Sequence, residues 1–149
     1  MTSQNCKKVV LGGTFDVLHK GHEALLKKAF SLGEVTIGLT SDKMARRFKK
    51  RKVNEFSGRK REIEKLIKRE KWGKFRIIKI EDRFGPTLKS EFDCIVVSPE
   101  TYPTAVLINK KRKQLKKKPI KIIKIKFVLD KDKKPISATK ILNRRHSAF

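Results

Sequence analysis

Two histidines, His19 and His22, flank Lys20 and Gly21, a few residues beyond the pair Gly12-Gly13. Imidazoles supply N–H donors, and glycines let backbone come close to a ligand. A helix start adds free amide hydrogens and the positive end of a dipole. Together these suit a phosphate chain on which chemistry is done. The alternative is a histidine pair that only caps a helix; further segments described below favour chemistry. Neither a GxxxxGK[ST] phosphate loop nor a GxGxxG fingerprint is present.

The apolar run Val9, Val10, Leu11 reads as a buried strand over residues 8–11, with a helix over 21–30 stopped by Gly33. Further strands are predicted over 35–39, 75–80, 92–97 and 120–128. Helices are predicted over 41–48, capped by Ser41 or Asp42, and over 57–71, where Ser57 is the cap and Ile63, Leu66 and Ile67 recur at helical spacing. Two more fall at 102–115, with Pro103 in the first turn, and at 137–145, capped by Ser137. Strands alternating with helices predict an α/β fold: a Rossmann-like parallel five-stranded sheet with helices on both faces. In such sheets ligands bind beyond the carboxyl ends of the strands. The segments after Leu11, Leu39, Ile80 and Val97 should therefore meet at one site.

The length of 149 residues is that of one domain, 1–149, and a hydrophobic content of 38% is adequate for a single core. The net charge of +25 suggests nucleic acid. The lysines, however, spread along the whole chain, and no homeodomain, zinc-finger, RRM or KH signature accompanies them. A lysine-rich solvated surface, as in heat-adapted proteins, is the favoured account, and it still steers anionic substrates. Cys6 and Cys94 lie far apart without CxxC or metal-ligand spacing, which suggests a reducing compartment and no disulfide framework, with Cys94 a small buried hydrophobe. Apolar runs are too short for a membrane span, and no signal peptide is evident, so the expectation is a cytoplasmic protein without a membrane partner. A homo-oligomer stays open.

Three more segments carry functional residue types. After the second strand come Lys43 and the basic residues to Lys49. After the fourth come Ser98, Glu100, Thr101 and Tyr102, with Ala105, Asn109 and Arg112 on the next helix. Near the end, Ser137 and Thr139 precede Lys140, so hydroxyls, free amides and a cation converge at a helix start.

His19-Lys20-Gly21-His22 and Gly12-Gly13-Thr14-Phe15-Asp16 resemble the signature of the HxGH nucleotidyltransferases. Residues 136–141 resemble the ISSTxI segment of that superfamily. Ser98-Pro99-Glu100-Thr101-Tyr102, with Asn109 and Arg112, is similar to a segment of one branch, as is Asp82-Arg83-Phe84-Gly85-Pro86-Thr87. That branch is the archaeal and eukaryotic-type phosphopantetheine adenylyltransferases. The likeness runs from about Lys8 to about Arg144. Ala138 and Leu142 depart from the family's ISSTxIR, removing a hydroxyl and a guanidinium; Lys140 or Arg144 is the replacement cation, though an ammonium lacks the planar fork of an arginine.

The resemblance implies transfer of AMP from ATP to 4′-phosphopantetheine by direct in-line attack, with pyrophosphate leaving. It implies His22, His19 and Lys140 as catalytic groups. It assigns Gly12, Gly13, Thr14, Gly21, Ser98, Glu100, Thr101, Ser137, Thr139 and Arg144 to the nucleotide. Thr14, Asp16, Lys43 and Lys49 fall to the second substrate, with Asp16 alternatively capping its turn. Mg²⁺ would arrive with ATP, without a protein metal cage. Neighbouring possibilities are an FAD synthetase or a cytidylyltransferase, and, from another class, an RNA-binding protein on this scaffold.

Overall fold

The computed structural model describes residues 6–48 and 52–126. Five strands, β1 (Lys8–Gly13), β2 (Glu34–Thr40), β3 (Phe75–Ile80), β4 (Cys94–Val97) and β5 (Lys121–Lys124), form one sheet in the order β3-β2-β1-β4-β5, with every neighbouring pair parallel. Among the described residues four helices connect them: α1 (Lys20–Leu32), α2 (Asp42–Phe48), α3 (Phe56–Glu70) and α4 (Tyr102–Gln114); a 3-10 turn covers Gly85–Leu88. The α/β parallel sheet expected from the alternation is the observed one.

The central strands β1 and β4 are apolar on both faces, as a sheet covered twice requires. Val9, Leu11, Ile37, Cys94 and Val96 point to one side, where Leu26, Ile63 and Ile67 from α1 and α3 meet them. Val10, Ile95 and Val97 point to the other, against Ala105 and Ile108 of α4 and Ile120. The period of two within β1 and β4 thus sorts residues between two layers. Each fully buried Leu or Ile in these layers contributes about 1.5–3 kcal/mol of transfer free energy.

The structure corrects several expectations. Cys6 and Cys94 form a disulfide, with Cα atoms 6.1 Å apart. Their sequence separation of 88 is no obstacle, because β1 and β4 are parallel neighbours with Val9 opposite Cys94. Cys94 is also buried, as expected. Gly33 ends α1, but with extended backbone; a Cβ there would collide with the Cys6 carbonyl, so close approach explains this glycine. Ser57 does not cap α3. Glu55 holds that position without a side-chain bond, and the first amide, Phe56 N–H, donates to Asp42 Oδ1 at 2.7 Å. Ser41 does cap α2, accepting from Met44 N–H at 3.1 Å. β4 begins at Cys94 rather than 92, because the Asp93 carboxylate accepts the Lys7 and Lys8 amides. The strand placed at 120–128 spans Lys121–Lys124, and the helix placed at 137–145 lies outside the described residues.

Candidate functional site

All five strands point the same way, so their carboxyl ends share one edge. The order 3-2-1-4-5 reverses direction between β1 and β4, which opens a crevice at that edge. β1 delivers Gly12 and Gly13 there, and β4 delivers Ser98. Beyond Gly13 the chain turns sharply: Phe15, a non-glycine at φ 49°, is buried beneath the turn and packs its ring 4.9 Å from that of His22. Such backbone strain persists where the surroundings over-determine it.

His19 is the N-cap of α1, its Nδ1 accepting from Gly21 N–H at 3.0 Å. That bond requires an unprotonated Nδ1, which leaves the proton of the neutral ring on Nε2. The glycine of the motif has a steric reason: a Cβ at Gly21 would lie 2.8 Å from His19 Cε1. The His19 and His22 rings stack with centroids 3.8 Å apart and planes at 20°. Burial lowers the His19 pKa below 6.5, and the charge of Glu23 partly offsets this. The cap and the donor pair are therefore the same structure, not alternatives.

At the carboxyl edge of the sheet, bordered by Gly12, Gly13 and Val97, lies a cavity of about 170 Å³ whose wall is largely apolar. Gly12, Gly13 and Thr101, all singled out in the sequence, border it together with Ile80, Phe84 and Ile108. Phe84 comes from the loop after β3, in the Asp82–Thr87 segment. There Asp82 Oδ1 accepts from the Phe84 and Gly85 amides at 2.9 and 2.8 Å and shapes the turn.

The remaining sequence-selected residues divide. Thr14 is half-buried at the crevice, and its Oγ1 accepts from Thr40 Oγ1 at 3.1 Å. Asp16 is buried and accepts from Asn54 N–H at 2.8 Å, so its carboxylate anchors the chain ahead of α3. Thr101 Oγ1 accepts from Ser98 N–H at 3.0 Å and holds the turn after β4, with Glu100 exposed beside it. Lys43 is exposed on α2. Lys49, Ser137, Thr139, Lys140 and Arg144 lie outside the described residues.

Asn109 and Arg112 are not at the site. Asn109 pairs with the backbone of Ile120 in both directions at 2.8 Å. The buried Arg112 donates to the carbonyls of Lys118, Thr87 and Ser90 and to Glu91. They fix the 3-10 turn and the approach to β5. Arg59 is buried in the same way but near the site. Its position in the first turn of α3 looks like one more base on a basic helix, and nothing in its spacing distinguishes it.

A parallel sheet with a glycine turn and a stacked histidine pair at its switch point defines a nucleotide-handling α/β protein of the nucleotidyltransferase type. The Cytidylyltransferase-like family model matches residues 10–144, and the chain belongs to that family. It is 44% identical over 136 residues to the phosphopantetheine adenylyltransferase of Archaeoglobus fulgidus, covering 90% of this chain and 91% of that one. It is 45% identical over 139 residues to the enzyme of the same name from Methanopyrus kandleri, covering 91% and 88%. Among solved structures, a protein of unknown function from Archaeoglobus fulgidus superposes with a TM-score of 0.77 at 39% identity, covering 87% of this chain and 99% of that one.

Proposed function

We propose that this chain is a phosphopantetheine adenylyltransferase, transferring AMP from ATP to 4′-phosphopantetheine to give dephospho-coenzyme A and pyrophosphate. The observation that carries this reading is a stacked imidazole pair at the start of α1, in a chain alike over nine-tenths of its length to relatives of that name. The histidines suit phosphates, and the apolar cavity that Gly12, Gly13 and Thr101 border suits the base of the nucleotide.

An oxygen of the phosphopantetheine phosphate attacks the α-phosphorus in line. The new P–O bond forms as the bond to the β-phosphate bridging oxygen breaks, and its electron pair leaves with pyrophosphate. The nucleophile is already anionic, so catalysis is positioning and charge stabilisation. His22 and the Nε2–H of neutral His19 donate to the phosphate chain as charge builds. The Thr14 hydroxyl donates to the attacking phosphate, and Lys43 and Lys49 attract it. Gly12, Gly13, Gly21, Ser98, Glu100 and Thr101 shape the nucleotide pocket. Ser137, Thr139, Lys140 and Arg144 complete the β- and γ-phosphate contacts. Asp16 acts by anchoring the turn rather than by touching substrate. Among the described residues no three His, Cys, Asp or Glu side chains converge on a cation position. Mg²⁺ arriving with ATP would be held by phosphates and water and would supply charge neutralisation there.

The reading places the enzyme in the cytoplasm. No helix among the described residues is long and apolar enough to cross a membrane. A buried disulfide is compatible with the cytoplasm of heat-adapted cells.

The test is pyrophosphate release by purified protein with Mg²⁺. Release that requires both ATP and 4′-phosphopantetheine supports the reading. Release with FMN, or with CTP in place of ATP, and none with phosphopantetheine would reassign the substrate within the family.

A further inference from the structure

Arg59 enters α3 in its first turn, yet its side chain is wholly buried and reaches back to the ends of β1 and β2. Its Nε donates to Asn54 O at 2.7 Å and its Nη2 to Asp42 Oδ1 at 2.9 Å. Its Nη1 donates to two acceptors, Thr14 O at 3.0 Å and Thr40 Oγ1 at 3.2 Å. Thr40 Oγ1 in turn donates to Thr14 Oγ1 at 3.1 Å.

The hydrogen bonds run one way along this chain. A guanidinium donates and never accepts, whereas a threonine hydroxyl has one proton and two lone pairs. Arg59 fills one lone pair of Thr40 Oγ1, and the geometry has Thr40 donating its single proton to Thr14 Oγ1. The Thr14 oxygen is then an acceptor inside the protein, and its own proton is left to point outward. Its carbonyl, the other acceptor of that residue, is taken by the same guanidinium. Thr14 Oγ1 and Thr14 O thus both accept from inside the protein, which leaves the hydroxyl proton for a partner outside these bonds. A cation at the head of a hydrogen-bond chain also polarises each O–H that follows.

We infer that Arg59 is a positioning residue that, through Thr40, aims the Thr14 hydroxyl proton at the anionic phosphate of the second substrate. This rests on the proposed adenylyltransferase reading and adds to it a dedicated donor, wired from a helix far along the chain. Asp42 keeps the guanidinium in place from the far side. Burial opposes ionisation of Asp42, but the Arg59 bond, the Phe56 amide and the charges of Arg59 and Arg46 outweigh it and lower its pKa.

A brace that merely held loops together would affect both substrates and would act independently of Thr14. A relay would act on one substrate and only through Thr14. The experiment is a double-mutant cycle on the full chain, with kcat and KM measured separately for ATP and 4′-phosphopantetheine. Thr40→Val keeps the shape and breaks the relay, and is expected to lower kcat/KM for phosphopantetheine by about tenfold or more, as for losing a hydrogen bond to a charged group. KM for ATP should be unchanged. Thr40→Ser should restore the rate. In a Thr14→Val background, Thr40→Val should have no further effect. Should Thr40→Val lose its helical circular dichroism, Thr40→Ala carries the same cycle. An unchanged kcat/KM in Thr40→Val or Thr40→Ala, or an equal loss with and without the Thr14 hydroxyl, overturns the inference alone. A wild-type protein inactive with ATP and phosphopantetheine overturns the functional reading, and the inference with it.

Discussion

Gly21→Ala separates the motif's chemistry from its role in folding. The added Cβ would sit 2.8 Å from His19 Cε1 and 3.0 Å from its Nδ1, where ordinary contact begins at 3.4 Å. The imidazole must retreat by about 0.6 Å. That lengthens the 3.0 Å bond from the Gly21 amide and disturbs the 3.8 Å stack on His22. The stability terms nearly cancel. Losing a capping bond costs about 1 kcal/mol, while alanine in place of glycine in the first turn of α1 gains about as much. The catalytic terms do not cancel, because displacing a donor by most of an ångström costs on the order of 10- to 100-fold in rate, about 1.4–2.7 kcal/mol. The assay pairs kcat from pyrophosphate release with a thermal melt. A melt within a few degrees of wild type and a kcat down by that factor is expected. Wild-type kcat in a folded protein would refute the claim that His19 placement matters; a collapsed melt would show that the glycine serves folding.

Three further outcomes follow from the geometry. Arg112→Met should lower stability by about 3 kcal/mol, read as a shift in urea midpoint, because three carbonyls lose a buried donor; an unchanged midpoint would contradict the bracing role. Replacing Cys6 and Cys94 by serine should cost about 2–4 kcal/mol by releasing a long closed loop. Turnover at 25 °C should hold in that variant, because the bridge lies at the edge of the sheet opposite the crevice; two reactive thiols in oxidised wild-type protein would show that the bridge does not form. His19 makes stability depend on pH with a defined sign. Its folded pKa lies below 6.5, so as pH falls below about 6.5 the unfolded chain binds the extra proton and stability declines, levelling off below the folded value. His19→Asn keeps a capping acceptor and should lose that component; a stability profile parallel to wild type would contradict the assignment.

The sheet was legible because its information is local. Val9-Val10-Leu11 and Cys94–Val97 are buried on both faces, and such strands read as continuous apolar runs. The histidine pair was legible because glycine and histidine at fixed offsets have few other uses. What escaped depends on partners far along the chain. Arg59 and Arg112 are indistinguishable in sequence from the many solvated bases, and only the folded chain shows both wholly buried among backbone carbonyls. Asn109 and Arg112 travel in sequence with Ser98 and Thr101, but a helix turns its successive residues to different sides, and theirs faces Ile120 and the 3-10 turn. The disulfide was hidden because separation along the chain says nothing about strands brought side by side through crossover helices.

Direct adenylyl transfer to phosphopantetheine in the crevice between β1 and β4 dictates what happens at the α-phosphorus. The measurement that meets it most directly is the stereochemical course of the reaction with a chiral ATP carrying sulfur on the α-phosphorus, in the presence of 4′-phosphopantetheine. A thio-substituted dephospho-coenzyme A whose phosphorus configuration is inverted is expected, as a single in-line displacement requires. Retention would demand a covalent intermediate and would contradict direct transfer.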